Sequence, residues 1–163
     1  MFFRSILLGF LIALSSLTPS AQAKTETCIP IPLVGGEGNQ VIKKVSPPTI
    51  PAGPLGMLGV NITNNDWNTD WAVPLGDGKP FRRFLVTLLS NDGGPFEVRM
   101  YLKYGDQTSD EFFNQKSLQL SNDKPLKIEA IPKANNQPYQ VNVFVAGINA
   151  WGKSYSATVV GCR

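Results

Sequence analysis

Between residues 81 and 104 apolar and polar positions alternate with a period of two on both sides of the turn Asn91-Asp92-Gly93-Gly94, a pattern that predicts a β-hairpin. In the second arm Phe96, Val98, Met100, Leu102 and Tyr104 share one parity, and Glu97, Arg99, Tyr101 and Lys103 share the other. One face of that strand is therefore expected in the core and the other in water. In the first arm Phe84, Val86 and Leu88 alternate with Leu85, Thr87 and Leu89, so it is apolar on both faces and is expected inside a sheet. A second hairpin is predicted near the end of the chain, where Tyr139, Val141, Val143 and Val145 lead to a turn over 147–152 and Tyr155, Ala157 and Val159 return. Phe144 breaks the polar parity of Gln140 and Asn142, a clue to an outward aromatic binding platform that a second covered face explains equally well.

Shorter alternating runs at 41–45, 55–63, 118–120 and 126–130 predict further strands. Thr108-Ser109-Asp110-Glu111, ahead of Phe112 and Phe113, fits a helix-capping box and predicts one short helical turn. No segment sustains a helical period. Seven to eight short strands, with turn signals every ~8–12 residues, predict an antiparallel β-sandwich, either Ig-like or jelly-roll-like. The run Tyr139-x-Val141-x-Val143, with Asn149, Gly152 and Ser154 after it, resembles the last hairpin of fibronectin type III domains. The glycine spacing departs from that pattern, the early tryptophan strand of that family is missing, and no function follows from the resemblance.

The amino-terminal residues change how much of the chain must fold. Arg4 precedes an apolar run over 6–14, and Ala21-Gln22-Ala23 supplies a small-residue cleavage site, so residues 1–23 are expected to be a secretory signal peptide. The run is shorter than the ~20 residues that span a bilayer, so the mature chain is expected to have no transmembrane segment and to be secreted or periplasmic. Residues 24–163 are then a single domain with one core. Its stretch 29–56 is rich in proline and glycine, which excludes regular central strands and predicts an extended covering arm with one edge strand at 41–45. Cys28 and Cys162 are the only cysteines, and in an exported chain they are expected to form a disulfide that closes nearly the whole domain.

The formal charge is +3, from 15 basic and 12 acidic residues scattered without a stripe, so nucleic acid is not an expected partner. The chain has no histidine, which removes Ser-His-Asp and Cys-His nucleophile systems and the usual zinc sites. Glycan chemistry on two carboxylates stays open, with Asp66, Asp70, Asp110 and Glu111 as candidates. Asp66, Asn68 and Asp70 match the first half of a calcium loop, with Asp77 at its twelfth position, although Trp71 stands where the sharp turn needs glycine. An ordinary Asx-rich loop is the alternative, and no cofactor other than calcium is suggested. Trp67, Trp71 and Trp151 lie at or near turns, and Tyr101 has the wet parity of its strand. Aromatic faces among amides and carboxylates suit sugars and also protein interfaces, while rings that cap the sandwich ends are the structural alternative. These features favour an exported non-catalytic binding module for a glycan or an envelope or extracellular protein. The alternatives are an accessory subunit of an envelope assembly and a carboxylate-dependent glycan-active enzyme.

Overall fold

A computed structural model describes residues 26–47, 66–74, 76 and 78–163. The predicted signal peptide, the strand expected at 55–63 and Asp77 lie outside the described residues. Among the described residues nine strands form two antiparallel sheets: β1 (Cys28–Pro30), β2 (Gln40–Lys44), β3 (Asn68–Ala72), β4 (Arg83–Ser90), β5 (Gly94–Tyr104), β6 (Ser109–Leu120), β7 (Leu126–Ala130), β8 (Pro138–Ala146) and β9 (Ser154–Cys162). One sheet has the order β1-β9-β4-β7, with β2 also paired to β9, and the other the order β3-β8-β5-β6. The predicted sandwich is therefore the fold. Among the described residues no helix is long and apolar enough to cross a membrane.

The predicted hairpin at 81–104 is not a hydrogen-bonded pair, because β4 lies in the five-stranded sheet and β5 in the four-stranded one. Its turn carries the chain between the layers. Ser90 Oγ accepts the Gly93 amide at 2.9 Å, and Lys153 Nζ donates to the Gly93 carbonyl at 2.9 Å, so the turn is tied to the start of β9. The predicted terminal hairpin behaves in the same way, with β8 and β9 in opposite sheets. Alternation specifies which side chains are buried but not which strand supplies the hydrogen bonds, so an arch and a hairpin read alike. The doubly apolar strand β4 does lie inside its sheet, between β9 and β7.

Phe84, Val86 and Leu88 of β4 and Val159 of β9 meet Phe96, Val98, Met100, Leu102 and Val141 of the facing sheet, all within one buried cluster. Each such side chain contributes about 1.5–3 kcal/mol when fully buried. Gly161 is part of the fit: a Cβ there would lie 2.6 Å from Phe81 Cδ1 and 3.0 Å from Ile31 Cδ1.

The helical turn predicted after Thr108 is absent, and residues 109–120 form the edge strand β6. Asp106 accepts the Thr108 amide and hydroxyl at 3.0 and 2.6 Å, which closes a turn rather than capping a helix. Two register shifts against β5 break the alternation of β6, and Ser117 takes a positive φ of 59° within it. The proline-rich arm bridges the sheets. Ile31 donates its amide to Val159, while Val34 donates to the Asp70 carbonyl and Ala72 to that of Pro32, so the arm covers the free edge of β3. Cys28 and Cys162 stand opposite one another on β1 and β9 and are joined.

Candidate functional site

The outward positions of the four-stranded sheet form rungs that run across its strands. Asp70 of β3 pairs with Asn142 of β8, Asn142 with Tyr101 of β5, and Tyr101 with Glu111 of β6. Successive side chains in a strand point to opposite faces, so strand pairing alone puts these four in one line. Asn142 Nδ2 donates to Asp70 Oδ1 at 2.7 Å, and the Tyr101 hydroxyl donates to Glu111 Oε2 at 2.6 Å. Asn114 adds two bonds to Glu111, at 3.0 and 3.1 Å. The Tyr101 hydroxyl, then the Asn114 amide, hold the Glu111 carboxyl below its ordinary pKa, and that carboxylate in turn raises the Tyr101 phenol.

Flanking rungs extend the line. On one side Asn68, Phe144, Arg99 and Asn114 align, and on the other Ala72, Gln140, Lys103 and Ser109. The Arg99 guanidinium lies 5.1 Å from the centre of the Phe144 ring and is held by Glu97, to which its Nε donates at 3.0 Å. Glu97 raises the Arg99 pKa, so the cation is permanent. Lys103 Nζ reaches Asp70 Oδ1 at 3.3 Å.

The face ends in an aromatic cleft of about 120 Å³ between Trp67, Phe144, Glu97, Ile148 and Trp151. Trp67 stands edge-on to Phe144, with ring centres 5.7 Å apart, and its Nε1 donates to the Ser46 carbonyl at 2.8 Å, so its ring is fixed. Trp151 is 44% exposed on the turn between β8 and β9. That turn lies close against β5: Gly147 has a φ of 121°, and a Cβ there would come within 3.2 Å of the Glu97 amide nitrogen. A second trough of about 260 Å³ shares Glu97, Gly147 and Ile148 with this cleft and continues towards Lys116 and Ser117 of β6.

Three of the four aromatics singled out from the sequence thus belong to this face or its end: Tyr101, Trp67 and Trp151. Trp71 does not. It is 0% exposed on β3, inside the core, and its Nε1 donates to the Asn39 carbonyl at 3.0 Å. The polar segment around it is a strand whose inward parity is Thr69, Trp71 and Val73, and the edge-covering arm seals it. Of the residues in the calcium pattern, Asn68 and Asp70 stand on the extended strand β3, and Asp77 lies outside the described residues. Asp66 is paired with Lys43 at 2.9 Å, and Asp70 with Lys103.

Of the carboxylates weighed for glycan hydrolysis, Asp70, Asp110 and Glu111 do not converge. Asp70 and Glu111 terminate one rung, three strand spacings of ~4.8 Å apart, or roughly 14 Å, well beyond the ~5–9.5 Å of a glycosidase pair. Asp110 pairs with Leu102, on the opposite face from Glu111, and binds Lys133 at 3.2 Å. Sequence reading missed Arg99, which shares the parity of Tyr101, and offered Phe144 only as a clue, through the apolar break it makes in the polar parity of β8.

No family model and no curated protein sequence matches the chain. Its fold is similar to that of the xylan-binding module CBM15, with 13% identity over 85% of this chain and 96% of that one, and a TM-score of 0.42. It is also similar to the CBM22-1 xylan-binding domain from Paenibacillus barcinonensis Xyn10C, with 7% identity over 80% and 83% of the two chains and a TM-score of 0.32. Both likenesses concern overall architecture only.

Proposed function

We propose that this chain is an exported, non-catalytic module that binds a glycan across the outer face of the four-stranded sheet. The observation that carries the reading is the rung Asp70–Asn142–Tyr101–Glu111, aligned across four strands on the outward parity, in which Asn142 is buried and holds Asp70 while Asp70, Tyr101 and Glu111 are open to water in part or in full. A polyhydroxyl ligand needs acceptors and donors at regular spacing, and carboxylates, amides and a phenol at strand spacing supply both. Groups already held by one another lose little freedom on binding, which lowers the entropic cost of association. Trp151, beside the fixed Trp67, offers a ring on which the C–H face of a sugar can stack. The disulfide and the signal sequence expected at 1–23 support export.

Affinity electrophoresis and titration calorimetry against a panel of soluble polysaccharides test the reading. At least one should bind. Trp151→Ala should weaken that binding by up to about tenfold, the equivalent of an aromatic contact of ~0.5–1.5 kcal/mol, with an unchanged melting temperature. Binding that is indifferent to both Trp151→Ala and Tyr101→Ala, or no binding by any polysaccharide, rejects the proposal. A protein partner is the second reading, favoured by Ile148, which is 76% exposed beside Trp151. It predicts that Ile148→Asp abolishes co-purification of an envelope or extracellular protein and leaves glycan titrations flat.

A further inference from the structure

We infer that the ligand of this face is an uncharged glycan, and that uronate-bearing or sulfated chains are disfavoured by how the charges are paired. This rests on the glycan reading above. Three cations, Arg99, Lys103 and Lys116, and three carboxylates, Asp70, Glu97 and Glu111, belong to the face and the adjoining trough, so its formal charges balance. Two of the cations are engaged. Arg99 is bound by Glu97 through two of its nitrogens, and Lys103 by Asp70. At the rim Lys43 is likewise held by Asp66 at 2.9 Å and by the Asn68 carbonyl at 3.0 Å.

An anionic ligand seeking Arg99 or Lys103 must displace the resident carboxylate, which then faces the ligand as a like charge. Such juxtaposition is a standard means of excluding the wrong partner. Neutral hydroxyls face no such obstacle. They donate to lone pairs that the internal bonds leave free: both partners of Asp70 use Oδ1, and a carboxylate has about four acceptor positions. Glu111, held below its ordinary pKa by Tyr101 and Asn114, keeps its charge at neutral pH and repels an acidic chain at the β6 end of the rung.

The mature protein, titrated with neutral polysaccharides (arabinoxylan, β-glucan, galactomannan) and acidic ones (polygalacturonate, alginate), distinguishes the outcomes. Wild type should bind a neutral chain with less than about twofold change between low salt and ~0.5 M NaCl, where a Debye length of a few Å leaves no long-range charge term. Glu97→Gln should release Arg99 and confer polygalacturonate binding that salt abolishes. Tighter binding of an acidic chain by the wild type, lost by about tenfold or more in high salt, would overturn this inference while leaving the glycan reading intact. Failure of every neutral and acidic chain to bind would remove both.

Discussion

The two sheets bury the same kind of inward side chains and differ in what they show to water. Across the five-stranded sheet one outward rung reads Gln40, Thr158, Thr87 and Lys127, and its neighbour reads Pro30, Val160, Leu85 and Glu129. These positions mix the β-formers Thr158, Thr87 and Val160 with Gln, Lys, Pro, Leu and Glu, and the charged contacts on this face centre on Arg83, which Glu26 and Glu129 hold at one end of the sheet. Across the four-stranded sheet the rungs show Asp70, Tyr101, Glu111, Phe144 and Arg99, long or planar groups tied to one another or to the buried Asn142. Packing fixes inward residues tightly, whereas outward ones are nearly free for stability, so a cross-strand line of costly, preorganised polar groups points to binding.

That contrast can be broken first at features both faces depend on. Replacing Cys28 and Cys162 by serine should lower stability by up to about 5 kcal/mol in the chain-entropy view, because the bond closes a loop with a sequence separation of 134. Denaturant unfolding measures it, and an unchanged midpoint would contradict the role assigned to the bond. Trp71→Ala should cost about 3–5 kcal/mol as a buried aromatic and thereby remove the binding face along with the fold. Trp151→Ala, on the exposed turn, should leave the midpoint in place, so the two tryptophans separate core from site. Gly161→Ala should cost about 1–3 kcal/mol by overpacking against Phe81 and Ile31, read as a shift in thermal midpoint.

A smaller effect appears at alkaline pH. Burial pushes the Tyr155 phenol up to about 12, above its ordinary value of ~10. The folded state then retains a proton that the unfolded chain loses, so this contribution is complete below pH ~10 and declines as pH rises towards 12. Tyr155→Phe should flatten the alkaline limb of a stability profile. An identical limb in both proteins would assign the decline to other groups.

Much of this was legible because burial follows parity. The inward residues of β4 and β5, Val141, Val143 and Val145 of β8, the wet parity that carries Tyr101 and the cysteine pair read correctly, the edge strand expected at 41–45 lies at 40–44, and Tyr139, placed on the parity of those valines, is exposed. Sheet membership did not, since a turn between Ser90 and Gly94 serves an arch as well as a hairpin and only the facing sheet decides between them. Strand β6 was hidden by its bulges: Phe112 has no partner between the pairs Met100–Phe113 and Tyr101–Glu111, so the period of two fails there. Trp71 was obscured by Asn and Asp neighbours that read as a loop, although Thr69, Trp71 and Val73 already shared a parity. The rungs required registers between strands distant in sequence, which no single-strand pattern contains.

On the proposed function the outer face of the four-stranded sheet, and not that of the five-stranded one, is the binding surface. Tyr101→Ala and Thr87→Ala alter equivalent mid-strand, outward, half-buried positions on the two faces, so each controls for the other's effect on folding. Calorimetric titration of both variants with a polysaccharide bound by the wild type, beside their thermal midpoints, measures the difference. The expected result is an affinity loss of about tenfold or more for Tyr101→Ala and none for Thr87→Ala, relative to midpoint shifts of similar size. Equal losses in the two variants, or a loss confined to Thr87→Ala, would contradict it.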